Sequence, residues 1–187
     1  MSPEPIDHGL ASGPRQHHVL SVLVENKAGV LSRVAGLFSR RGFNIYSLAV
    51  APTDRSHRFS RITIVVDAAS APLSQVVRQL DKLINVVQIN HLNERSVVER
   101  ELLLATVLVD AEGADAVAVD CARAGAEIVD RAPGALTVML AGTPIEVEAF
   151  ETLLAAHTVA ELHRTGLVAL PKLPAPPGAA ADPGAAG

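Results

Sequence analysis

The sequence predicts an α+β chain made of two ferredoxin-like βαββαβ units in tandem. Three observations lead there. A strand–helix–strand–strand–helix–strand order runs over residues 17–92 and runs again over 101–171. In both halves the first predicted helix lies between two glycines, Gly29/Gly42 and Gly113/Gly125. The 187 residues are 49% apolar and 19% charged, enough for two small cores and too apolar for a disordered chain. With four Phe, one Tyr and no Trp, those cores must be built from Val, Leu, Ile and Ala. Identity between the halves is low, so the repeat is architectural.

Each element follows from a local pattern. Residues 1–16 carry Pro3, Pro5, Gly9, Gly13 and Pro14 and read as a disordered tail. His18 to Glu25 is β-rich and apolar on both faces, a strand covered on at least one side. Asn26–Gly29 is a turn. Val30, Leu31, Val34, Leu37 and Phe38 recur at helical spacing, and Gly42 supplies the stop. Ile45–Val50 and Phe59–Asp67 are strands joined by a polar loop. Pro72 opens a helix whose Leu73, Val76, Val77, Leu80, Leu83 and Ile84 form one stripe. Val86–Leu92 closes the first unit, and residues 93–100 read as a polar connector. In the second unit the strand Glu101–Asp110 leads to a helix Gly113–Arg123. A hairpin follows, Ala126–Arg131 and Ala135–Ala141 around Pro133-Gly134. Pro144 opens a helix with Val147, Phe150, Leu153 and Leu154 on one face. Val159–Leu170 is a strand broken near Thr165-Gly166, and residues 172–187 read as a second disordered tail.

Several function classes drop out. No two glycines stand at i, i+2 and no Gly-Lys pair occurs, so the dinucleotide and P-loop fingerprints are absent. G-x-S-x-G and H-E-x-x-H are absent too, and no carboxylate pair stands out as an acid/base couple. The single Cys121 excludes an internal disulfide and reads as a buried thiol. Of seven histidines only His17 and His18 are adjacent. On a strand they point to opposite faces, so no metal site is expected and they read as exposed polar residues. The start has no secretory leader pattern and no apolar run reaches about 18 residues, so no membrane span and a cytoplasmic location are expected. The net charge of −4 by itself points to neither nucleic acid nor an acidic membrane. Residues 15–61, however, hold eight Lys/Arg, two acids and four of the five aromatics. That stretch reads as a solvated basic face or as a docking surface for an acidic partner. An RNA-reading sheet needs aromatics on its first and third strands. Here the first has none and the third only Phe59 at its edge, so nucleic acid is not expected.

The chemistry lies in Leu23–Arg33. A strand passes through a short polar turn into a helix at Gly29. A helix N-terminus exposes unpaired N–H groups and partial positive charge, which suit a carboxylate. Gly29 lets a ligand approach the backbone. Asn26 offers a donor and acceptors, which suits a zwitterion. The plainer alternative is a turn asparagine and an ordinary helix start. Asn44 likewise reads as a left-handed cap or as an amide facing a ligand held by a neighbouring copy.

The stretch 20–34 (Leu-Ser-Val-Leu-Val-Glu-Asn-Lys-Ala-Gly-Val-Leu-Ser-Arg-Val) resembles the small subunits of acetolactate synthase (acetohydroxyacid synthase), as do residues 36–45, 47–53, 60–66, 79–86, 98–104 and 164–170. The resemblance covers about 17–171. It is dense in the first half and looser in the second, where Ala-rich text replaces the usual pattern. It implies that residues 17–92 are an ACT domain and that the chain is a non-catalytic regulatory subunit in branched-chain amino-acid biosynthesis. The implied partner is a large catalytic subunit that holds thiamine diphosphate, FAD and Mg²⁺, with no cofactor on this chain. The implied effector is valine, or leucine or isoleucine, bound between the ACT domains of a homodimer. Its contacts map to Asn26, Ala28, Gly29, Val30 and Leu31 of one copy and to Asn44 and Ile45 of the other. Tyr46 stands where the family commonly has Asp or Glu. An ACT-domain sensor attached to another enzyme is the alternative.

Overall fold

The computed structural model describes residues 17–67, 73–93 and 96–173. The first unit contains β1 (His17–Glu25), α1 (Val30–Arg40), β2 (Ile45–Pro52), β3 (Phe59–Asp67), α2 (Leu73–Leu80) and β4 (Val86–Leu92). Its antiparallel sheet has the order β2-β3-β1-β4. The second contains β5 (Val97–Leu108), α3 (Ala111–Ala124), β6 (Glu127–Ala132), β7 (Ala135–Gly142), α4 (Pro144–Leu154), β8 (Thr158–Arg164) and β9 (Val168–Pro171). Its sheet runs β6-β7-β5-β8, with β9 paired to the start of β5. Both units have the predicted βαββαβ order.

Alternation along the strands builds two cores. Leu20, Val22 and Val24 of β1 and Ile62, Ile64 and Val66 of β3 face the helices, where they meet Val34, Phe38, Val76 and Leu80. In the second unit Leu103, Ala105 and Val107 face Val117, Cys121, Val147, Phe150 and Leu154. Each fully buried aliphatic side chain contributes roughly 1.5–3 kcal/mol. A third cluster explains why β1 is apolar on both faces. Val19, Val65 and Leu92, on the far side of the first sheet, pack against Val97, Leu167 and Ala169.

That cluster corrects the connector expected at 93–100. Val97–Arg100 pair with Val168–Pro171 and form a ribbon that lies on the first sheet. Strand β5 therefore starts four residues earlier than 101. Three further differences have physical causes. The N-cap of α3 is Asp110, whose Oδ1 accepts the Gly113 N–H at 2.8 Å, so Gly113 lies inside the first turn. Helix α2 ends at Leu80, and although Leu83 still packs on the core, Ile84 is 93% exposed and leaves the stripe. Lys172 N–H donates to the Ser96 carbonyl at 2.8 Å, which ties down the residue where the second tail was to begin. Residues 1–16, Pro72 and 174–187 lie outside the described residues, so the tails and the helix-opening proline are expectations only.

Candidate functional site

Strand β1 hands over to α1 through four exposed residues, Asn26 to Gly29. The turn is anchored from both sides. Glu25 Oε2 accepts from Lys27 Nζ at 2.9 Å and from Asn85 Nδ2 at 2.6 Å, and these bonds hold its carboxyl below the usual range. Asn26 donates twice to the β2–β3 loop, from N–H to the Arg58 carbonyl and from Nδ2 to the His57 carbonyl, both at 2.9 Å. His57 has a φ of 52°, the one non-glycine residue with positive φ among the described residues. Asn26 is thus held by a partner 31 residues away, and its Oδ1 is an acceptor on the exposed surface.

Gly29 is the N-cap of α1, with φ 80° and ψ −5° in the left-handed region. No side chain caps this helix. Val30 N–H makes a long turn bond to the Lys27 carbonyl at 3.3 Å, and Arg33 N–H bonds the Gly29 carbonyl at 3.1 Å. A Cβ placed on Gly29 meets no heavy atom within 4 Å. The site is therefore an open helix N-terminus beside an oriented amide, which suits a carboxylate next to an ammonium group. Val30 lies in the core, so only its backbone belongs to this surface, whereas Leu31 is 42% exposed. The other helices with resolved caps are closed. Asp110 fills the α3 position, and Thr143 with Glu146 forms a reciprocal capping box on α4. Both Thr143 bonds hold the Glu146 carboxyl below its usual range.

Asn44 and Ile45 are elsewhere. Strands β1 and β2 both run antiparallel to β3, so they are parallel to each other. The start of β2 is level with His18 and Val66, while the 26–29 turn follows the Glu25 end. At roughly 3.3 Å per residue the two groups lie about 25–30 Å apart in one chain. The structure brings Asn26, Ala28, Gly29, Val30 and Leu31 together and leaves Asn44 and Ile45 at the opposite end of the sheet. The left-handed cap alternative for Asn44 is overturned, because its φ is not positive. Its Nδ2 instead donates to Asp67 Oδ2 at 3.3 Å.

Tyr46, beside Asn44 and Ile45, is the extra residue of a β-bulge between Ile45 and Ser47. Its ring stacks on His17, with centroids 4.7 Å apart and planes 27° apart. His17 Nδ1 approaches Asp67 Oδ1 at 3.2 Å without hydrogen-bond geometry. His18, on the other face, meets His91 edge-on at 5.2 Å. The two histidines are half-buried rather than exposed, and they do point to opposite faces. No group of three or more His, Cys, Asp or Glu that could hold a metal occurs among the described residues. Sequence reasoning placed the polar 53–58 loop between β2 and β3 but missed that its carbonyls hold Asn26. The strained His57 within a polar run carries no periodic signal.

Comparisons with known proteins match both halves. Residues 20–88 match the model described as the acetolactate synthase small subunit-like ACT domain, and residues 100–173 match the model for the small subunit of acetolactate synthase. Over 165 residues the chain is 46% identical to the acetolactate synthase small subunit of Mycolicibacterium smegmatis, covering 87% of this chain and 95% of that one. It is 40% identical over 153 residues to the acetolactate synthase isozyme 3 small subunit of Escherichia coli, covering 81% and 93%. The crystal structure of the acetolactate synthase small subunit from Thermotoga maritima superposes with a TM-score of 0.78 at 34% identity, covering 85% of this chain and 99% of that one. Relatives at 40% and 46% identity over more than four-fifths of its length mean that the chain belongs to the acetolactate synthase small-subunit family, with an ACT domain as its first unit.

Proposed function

We propose that this chain is the cytoplasmic regulatory subunit of an acetolactate synthase in branched-chain amino-acid biosynthesis. It raises the activity of a large catalytic subunit that holds thiamine diphosphate, FAD and Mg²⁺, and it confers feedback inhibition by valine or a related amino acid. Exposed arginines of the 15–61 stretch, among them Arg33, Arg40, Arg55 and Arg58, form the face that meets the large subunit.

The observation that carries the reading is the split site. Strand β2 is at the edge of its sheet. If two copies pair antiparallel along this edge about a two-fold axis, the Asn44 end of one β2 lies beside the Pro52 end of the other. Pro52 is level with Ser60, at the sheet end where the 26–29 turn lies. One two-fold thus completes two sites, each with an open helix N-terminus from one chain and Asn44 and Ile45 from its mate. In each site the effector carboxylate takes the N–H groups at Gly29, its ammonium meets Asn26 and Asn44, and its branched side chain meets Ile45 and Leu31.

Burial of an isopropyl group is worth roughly 1.5–3 kcal/mol. Each hydrogen bond to a charged group adds about 1.5–3 kcal/mol. After the cost of association about −4 to −6 kcal/mol remains, a Kd of roughly 1 mM down to tens of μM. Such an affinity suits a sensor of a metabolite pool. The effector acts by binding one arrangement of the pair more tightly than another.

The test is complementation. In a heterodimer of Asn44→Ala and Gly29→Asp chains, one site carries both lesions and the other carries none. Holoenzyme reconstituted with the mixture is expected to regain part of the valine sensitivity that each parent lacks. Heterodimers seen by mass spectrometry that bind no valine, while the unsubstituted chain does, would refute a shared site.

A further inference from the structure

We infer that Ser47 and Gly166 form the joint through which an effector held at Asn44 and Ile45 acts on the second unit. The inference rests on the effector reading above and adds the route by which it is transmitted.

The two ends of the joint are close in space and remote in sequence. Ser47 Oγ accepts the Leu167 N–H at 3.0 Å, across 120 residues. Gly166 has φ 78°, and a Cβ built on it would lie 2.5 Å from Ser47 Oγ and 3.7 Å from Leu48 N. A side chain fits at that position only if the Ser47 hydroxyl turns away, which would break its bond to the Leu167 N–H. Leu167, the next residue, is buried in the cluster that joins the units. On the other side the same segment is clamped to β5. Thr165 exchanges two bonds with Leu102, N–H to carbonyl at 3.0 Å and Leu102 N–H to Oγ1 at 3.1 Å. Arg164 forks onto Glu101 at 3.0 and 2.7 Å and reaches Glu151 at 3.0 Å. Residues 164–167 therefore hold β5 and α4 with one hand and Ser47 with the other.

The ligand side has a matching device. The bulge at Tyr46 separates Ile45 from Ser47. A bulge lets a strand change its local twist while the ladder on either side persists. Tyr46 itself stacks on His17 and lines the same cavity as Arg164. Movement of Asn44 and Ile45 onto a ligand thus turns the bulge, and the Ser47 hydroxyl, bonded to the Leu167 N–H beside Gly166, carries the turn to residues 164–167. Ser47 is a positioning residue, since it acts on the second unit without touching the effector.

The experiment separates binding from response. Ser47→Ala removes the acceptor and adds no bulk, while Gly166→Ala keeps the hydroxyl on the chain but drives it off the Leu167 N–H and strains the φ 78° backbone. For each variant, valine binding is measured by calorimetry on the full chain, and activation and valine inhibition are measured in reconstituted holoenzyme. The expected result is valine affinity near that of the unsubstituted chain, unchanged activation, and an inhibition midpoint raised about fivefold or more, or a lower maximal inhibition. Unchanged inhibition by both variants overturns the joint. Loss of binding together with inhibition also overturns it, because Ser47 would then shape the ligand site itself. An unsubstituted chain that binds no valine overturns the effector reading and the joint with it, whereas the first two outcomes leave that reading intact.

Discussion

Gly29→Asp separates what the helix N-terminus does for the fold from what it does for a ligand. Gly29 has φ 80°, so any side chain there is strained, by about 1 kcal/mol and less for Asp, which tolerates the left-handed region. A Cβ meets nothing within 4 Å, so no packing is lost. A carboxylate at an otherwise uncapped N-terminus recovers roughly 0.3–1 kcal/mol from the helix dipole. The net change in stability is expected to be under about 1 kcal/mol, a fall in Tm of no more than about 4 °C for a chain of this size. The effect on an amino-acid ligand is much larger. Two negative charges about 4 Å apart repel by about 1 kcal/mol in bulk water and about 4 kcal/mol in a surface site of lower dielectric. Valine affinity is therefore expected to fall by a factor of roughly 5 to 1,000, at a rate of about 1.4 kcal/mol per decade. Gly29→Ala is the control, since it carries the strain without the charge and should lose less affinity than Gly29→Asp. The assay is calorimetric titration of each chain with valine beside a thermal melt. A Gly29→Asp chain with unchanged Tm and a valine Kd within about twofold of the unsubstituted one would show that no carboxylate binds at this helix end.

Other groups give sharp expectations. Arg164→Met leaves Glu101, 7% exposed, without its two guanidinium bonds and should cost about 3–5 kcal/mol, or roughly 6–20 °C in Tm, with part recovered when Glu101→Gln is added. An equal Tm for the single and double variants would refute this. Thr143→Ala removes the acceptor for the Glu146 N–H and should cost about 1 kcal/mol by chemical denaturation, with no change in valine binding. Burial, with the charge of His18 as a smaller cause, holds the His91 imidazole below its ordinary pKa. Between that lower value and about 6.5 the unfolded chain binds more protons than the folded one, so stability falls as pH drops through this window. His91→Gln should flatten that part of the profile, and an identical slope in both chains would refute the assignment.

The secondary structure was legible where periodicity and punctuation agreed. Helix α1 shows a stripe from Val30 to Phe38 and a glycine at each end, and it forms at Val30–Arg40. Strand β1 was recognisable as apolar on both faces, but what covers its second face was not. The cover is Val97, Leu167 and Ala169, and the pairing of β5 with β9 that delivers it spans about seventy residues. Locally, 97–100 looks polar because Glu99 and Arg100 hide a strand pattern of four residues. The turn at Asn26–Gly29 was found from its chemistry. The 53–58 loop was legible as a polar connection, but its hold on Asn26 was not, since a backbone carbonyl acceptor has no residue type. The glycine symmetry of the two halves also misled at Gly113, because the cap is Asp110, three residues earlier.

That last difference bears on why only one half carries a candidate site. The units share a fold and a helix after their first strand, yet the second closes that helix with its own carboxylate. Asp110 Oδ1 takes the Gly113 N–H, an interaction typically worth about 1 kcal/mol to a helix. The first unit forgoes it, since Gly29 has no side chain to give and nothing else caps α1. An external carboxylate at Gly29 would do for α1 what Asp110 does for α3, and the N–H groups left open cost little while water reaches them. The proposed effector site therefore rests on the absence of a cap in one half as much as on the presence of Asn26. The same reasoning assigns the second half a different task. If the first unit binds an effector as proposed, the second, with its helix end closed and its Arg164–Leu167 segment against Ser47, is placed to receive the change rather than to bind the same ligand.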